Sequence, residues 1–171
     1  MNGALDRATL DALAAFPRQL EAHYAAIPAG YEHWRPVSWE GIPSEHFTAV
    51  EQVWHVLEVE IEGYQVRFQR TLHEDGPLLP SIDSEAVARE RDYGSRKAED
   101  AFARFREARA LTMAVLATLD EQRLARRATF EGYGPTTLRG LAHFLCSHDQ
   151  QHLAGLQWLS GQIASLPLRQ G

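Results

Sequence analysis

The stretch His143-Phe-Leu-Cys-Ser-His148-Asp-Gln-Gln-His152 carries the densest chemical information in this 171-residue chain. Imidazole nitrogen is the commonest protein ligand for divalent ions and binds in the neutral form that prevails near pH 7. Two ligands of one ion must project side by side. A four-residue step along an α-helix achieves this, because it advances about 40° around the axis and about 6 Å along it. His148 and His152 have that spacing. Spacing alone is a weak signal, but placement adds to it. The apolar seam runs Leu138, Leu141, Leu145, then positions 148 and 152, then Leu156, Leu159 and Ile163. Two stacked imidazoles on a core face are costly without partners. A carboxylate or hydroxyl for each ring is one solution, and a shared ion explains both rings at once.

A third ligand has to come from another helix, and His55 is the candidate. It lies beside an apolar seam, in a stripe with Glu51, Glu58 and Glu62. A solvated edge is the plain reading of such a stripe. Against it, Val53, Trp54, Val56, Leu57, Val59 and Ile61 surround His55 and leave little of the segment free to face water. Glu58, one turn on, is the candidate catalytic residue, as a base, a ligand or an acceptor that orients an imidazole. Asp149 is a lesser candidate for that orienting role. His143 precedes His148 by five residues, points away from the seam and reads as structural, while His46 and His73 fall near helix ends and should face solvent. Cys146, the single cysteine, lies two positions from His148 and reads as a small buried hydrophobe rather than a nucleophile.

Holding these residues together requires long helices. The first is expected over about 4–27, either kinked by Pro17 or starting there. A loop follows through Pro28, Gly30, Pro36, Gly41 and Pro43. The second helix should run over about 45–72, with Thr48 and Glu51 as a capping box, although Ser44 would serve equally well as a start. Its seam reads Phe47, Val50, Trp54, Leu57, Ile61, Tyr64, Phe68 and Leu72. Gly76, Pro77 and Pro80 open a long connection, suited to a crossover or to a lid over a site. A third helix is expected over about 95–120, and a fourth from Thr136 or Thr137 to about Ser160. Nothing reads as a strand. The prediction is all-α: one four-helix bundle domain over residues 1–171.

Composition narrows the function classes. A formal net charge of −6, with 44% hydrophobic and 23% charged residues, argues against a nucleic-acid surface, which needs a clustered basic face. No apolar run approaches membrane-spanning length, and the N-terminus lacks the apolar core of a signal peptide. With one cysteine there is no internal disulfide framework, and a cytoplasmic location is expected. The faces carrying Trp54, Tyr64, Phe68, Trp158 and Leu159 look too apolar for four helices to cover, which predicts a homodimer.

Trp54-His55-Val56-Leu57-Glu58 and His148-Asp149-Gln150-Gln151-His152, in this order and spacing, resemble the motifs of the DinB/YfiT-like family. The region around Trp39 and the stretch Gly132-Tyr133-Gly134-Pro135-Thr136-Thr137-Leu138 are similar to that family as well. The resemblance implies an up-down-down-up bundle whose first histidine and His-x-x-x-His pair bind a divalent ion such as zinc or nickel. It also implies a tendency to dimerise. Characterised relatives include S-transferases that use bacillithiol or mycothiol, and a mycothiol-dependent maleylpyruvate isomerase.

Three neutral imidazoles leave positions open on an ion, as in a catalytic rather than a closed structural site. Such a position can bind a thiol and lower its pKa. The leading expectation is therefore a metal-dependent thiol transferase acting on a small molecule with a low-molecular-weight thiol. The alternatives are a hydrolase that activates water and a non-catalytic, metal-stabilised binding or stress-response protein.

Overall fold

Helix starts in this protein follow the side chains that cap them. The computed structural model describes residues 4–167. Asp6 accepts from the Thr9 N–H at the start of α1 (Arg7–Ala25). Thr48 and Glu51 form the expected reciprocal capping box at the start of α2 (Ala49–Glu58). The same rod continues through a π-helical segment (Val59–Gln65) into α3 (Val66–His73). The long connection carries β1 (Leu78–Leu79), α4 (Ser84–Glu90) and a 3-10 turn (Tyr93–Ser95). It leads into α5 (Ala98–Ala117), followed by α6 (Glu121–Leu124), β2 (Arg127–Phe130) and β3 (Gly134–Thr137). Thr137 then accepts from the Gly140 N–H and starts α7 (Leu138–Ala164).

Pro17 does not start α1; it lies inside a helix that continues from Arg7 to Ala25. Proline lacks an N–H, so the Leu13 carbonyl one turn earlier has no helical donor. Arg109 of α5 supplies one, its Nη1 donating to that oxygen at 2.8 Å.

Two apolar clusters fill the bundle and reveal its topology. One joins Phe16 to Ile27 of α1 and its exit with Val50 to Leu57, Ala98 to Ala108 and Leu153 to Ile163. The other joins Leu5 and Leu13 with Val59 to Phe68, Leu116 to Leu124 and Leu138 to Leu145. The end of α1, the starts of α2 and α5, and the end of α7 therefore share one end of the bundle. The order is up-down-down-up, with the crossover after α3. Buried polar residues, among them Glu60, Arg109, Asp149 and His152, fall in sequence where one cluster gives way to the other.

Three features depart from the sequence reading. A small sheet is present in the order β1-β2-β3, with β1 parallel to β2 and β2 antiparallel to β3. Strands of two to four residues are too short to display a period-2 pattern, and the hairpin turns on Gly132 and Gly134 at φ of 84° and 87°. Second, Glu60 in the π segment is 1% exposed, while the seam residue Ile61 is only half-buried. Third, Trp54, Tyr64, Phe68 and Leu159 are buried within their own chain, and Trp158 stacks on Trp39. The apolarity of these faces is thus accounted for within one chain and carries no argument about a second copy. Among the described residues, no helix is long and apolar enough to cross a membrane.

Candidate metal centre

The leucine seam of α7 turns His148 and His152 toward α2, whose own apolar packing turns His55 toward them. Across the bundle, His55 Nε2 stands 3.0 Å from His148 Nε2, and His152 Nε2 stands 3.2 Å from the same atom. His55 and His152 are buried, while His148 keeps a partial opening to solvent. Glu45, in the loop before α2, joins them: its carboxylate oxygens lie 3.6 Å from His55 Nε2 and 3.4 Å from His152 Nε2. One ligand atom from each of the four residues lies within 4.8 Å of the others.

Burial sets the charge state of the rings. It lowers the His55 pKa to about 3 and holds His148 and His152 well below the usual histidine range, with the neighbouring rings adding to the effect. All three are neutral near pH 7, as ligation demands. Burial also raises the Glu45 carboxyl, and the charge of Glu85 raises it further, against a backbone hydrogen bond that lowers it.

The donor set fits a divalent ion. A bond of about 2.0–2.1 Å to each nitrogen places neighbouring ligand nitrogens roughly 2.9–3.4 Å apart, from octahedral to tetrahedral geometry. The separations of 3.0 and 3.2 Å lie in that range. Hydrogen bonds alone satisfy the trio poorly. His148 Nε2 carries either one hydrogen or one lone pair, and neither can lie on straight bonds to both neighbours. His55, His148 and His152 are the residues that would hold the ion, with the Glu45 carboxylate beside them.

Glu58 lies outside this group. Its carboxylate is ion-paired to Arg91 and lies 3.7 Å from Arg96, so the acidic neighbour of the rings is Glu45 instead. Asp149 does not orient an imidazole either. It accepts from Arg109 at 2.7 and 3.1 Å, while Glu60 takes the other edge of that guanidinium at 2.8 and 2.9 Å. Burial pushes the Asp149 carboxyl up to about 7 although Arg109 pulls it back. His143 is half-exposed beside Asp6 and Thr9, and His46 and His73 are exposed. Cys146 packs against the second apolar cluster, and burial raises its thiol pKa, the opposite of an activated nucleophile.

A cavity of about 500 Å3 opens beside the centre, lined by Arg35, His46, Phe47, Glu51, Glu85 and Arg89 among others. The Phe47 ring forms the partition, 5.1 Å from the His55 ring. Part of the cavity wall is α4, so the long connection lines this cavity as well as crossing the bundle.

Fold and site together define a class: a four-helix bundle with histidines of two facing helices converging on one point. The chain belongs to the DinB superfamily, whose family model matches residues 7–156. Among solved structures it is similar to YfiT from Bacillus subtilis, described as a probable metal-dependent hydrolase with an unusual four-helix bundle topology. The TM-score is 0.78 over 91% of this chain and 86% of that one. At 19% identity the likeness is one of fold. No sequence match is found among curated proteins.

Proposed function

We propose that the protein is a metal-dependent enzyme in which His55, His148 and His152 hold one divalent ion, zinc or nickel, with Glu45 beside it. The observation that carries this reading is the meeting of three neutral imidazole nitrogens, 3.0 and 3.2 Å apart, next to one partly exposed carboxylate. A closed structural site would fill every position with protein ligands. When bound, the ion supplies Lewis acidity that lowers the pKa of a thiol or water beside it.

The protein's own groups do the remaining work. Glu45, whose carboxyl is raised by burial, accepts the proton of an incoming low-molecular-weight thiol. The sulfur then bonds to an electrophilic carbon of a small molecule, and the leaving group departs with the bonding pair. Glu45 returns the proton to it. Neutral, buried rings keep the positive charge of the site on the ion.

Hydrolysis, with water in place of the thiol, is the second reading. Similarity to a protein described as a probable metal-dependent hydrolase favours it. Metal analysis of untagged protein, then parallel screens of thiol conjugation to an electrophile and of ester and amide hydrolysis, separate the two. Protein that takes up neither zinc nor nickel on reconstitution would sink both.

A further inference from the structure

Gln52 has no exposed surface and lies one turn before His55 on α2. Its amide is fully engaged. Nε2 donates to Ser44 Oγ at 2.9 Å and to the Phe47 carbonyl at 3.4 Å. A carbonyl can only accept, so the nitrogen of the amide must face the loop, and Oε1 is left to meet Nδ1 of His152. Oε1 in turn can only accept. His152 therefore carries its hydrogen on Nδ1 and presents Nε2 toward His148 as a bare lone pair. The two loop residues that hold the amide, Ser44 and Phe47, bracket Glu45. Across the bundle, Gly155 of α7 leaves the space: a Cβ there would stand 2.8 Å from Gln52 Nε2.

We infer that Gln52 is a positioning residue for the metal centre, selecting the tautomer in which His152 offers Nε2 to the ion. The inference rests on the reading that the histidine cluster binds metal. A ligating histidine usually gives its second N–H to an acceptor, and losing that acceptor costs metal affinity. In this protein the acceptor is a neutral amide. Its other end holds the loop that carries Glu45, so one side chain serves both an imidazole and the carboxylate beside it.

Zinc affinity, measured by competition with a chromophoric chelator at neutral pH, tests the assignment in wild type, Gln52→Leu and Gln52→Glu. Leucine removes the acceptor, and affinity should fall about 10–100-fold. Glutamate keeps an acceptor for Nδ1 while losing the donation to Phe47, and affinity should stay within about threefold of wild type or exceed it. Nitrogen-15 spectra of zinc-free wild type should show His152 protonated at Nδ1, a readout that needs no metal and no Gln52 variant. Leucine binding zinc as tightly as wild type would overturn the inference. So would equal losses in both variants, which would mark a merely structural role, or an Nε2-protonated His152. Should the leucine variant not fold, the glutamate variant and the wild-type spectrum decide alone. Wild type that binds no zinc would instead remove the metal reading, leaving the spectrum to judge the contact between Gln52 and His152.

Discussion

Arg109 Nη1 donates to the Leu13 carbonyl at 2.8 Å, filling the place of the N–H that Pro17 lacks. The same guanidinium holds Glu60 and Asp149, so one side chain ties α1, the π segment and α7 to α5. Burial alone would lower the Arg109 pKa, but the two carboxylates outweigh it and raise it. Removing one partner of a buried ion pair leaves uncompensated charge and costs about 3–5 kcal/mol. Arg109→Met should lose about that much in denaturant unfolding. A loss within the range of an exposed substitution, below about 0.5 kcal/mol, would show that the network contributes little.

Each converging histidine should be needed for metal. Replacing His55, His148 or His152 with Ala should cut zinc or nickel content steeply, whereas His143→Ala, half-exposed beside Asp6, should leave it intact. Full occupancy in the His148→Ala, His152→Ala double variant, read by elemental analysis, is the outcome that this account forbids.

The two glutamates near α2 should separate cleanly. Glu45→Gln keeps the shape and removes the charge beside the rings, so it should weaken zinc binding and depress turnover. Glu58→Gln weakens contacts to Arg91 and Arg96 and should leave zinc affinity unchanged. A larger affinity loss at 58 than at 45 would restore Glu58 to the site.

The three rings make stability depend on pH even without metal. In the unfolded chain each titrates near 6.5. In the folded protein His55 is lowered to about 3, and His148 and His152 lie well below 6.5. Between those limits the unfolded chain binds protons that the folded one refuses, so stability rises with pH. It is complete above about 6.5 and lost as pH falls below it. A bound ion adds a second loss over the same range, because protons compete for its ligands. Melting temperatures across pH 5–8 should therefore fall on the acid side with chelator present, and fall more steeply in loaded protein. A flat chelated curve would contradict neutral buried rings. Coincident curves would mean that the ion does not support the fold.

Helical periodicity carried the architecture, because leucines at 138, 141, 145, 156 and 159 define a face and the gap at 148 and 152 is visible against them. Thr48 and Glu51 marked the start of α2 for a local reason, a capping box contained within four residues. Glu45 was missed because it lies in an irregular loop, placed by contacts to Gln52 that no periodicity reports. Gln52 itself was the available signal: an uncharged polar residue inside the wholly buried run 49–57, one turn before a histidine. Glu58 was favoured on its three-residue spacing from His55, and spacing could not foresee that Arg91 and Arg96 would take its charge. Arg109 and Glu60 carry no motif or spacing that pairs them, and they meet only because α5 and the π segment face each other.

The up-down-down-up order has a consequence for how the molecule is made. Glu45, Gln52 and His55 arrive early in synthesis on one local unit, while His148 and His152 belong to α7, made after the other helices of the bundle. A chain ending before α7 retains one of the three imidazoles, so an ion could not find all its donors until α7 docks against α1 and α2. On the proposed metal reading, uptake of the ion should therefore follow the docking of α7. A protein split within the segment joining α5 and α7 should recover tight metal binding only when both pieces are present, making the ion a reporter of α7 docking.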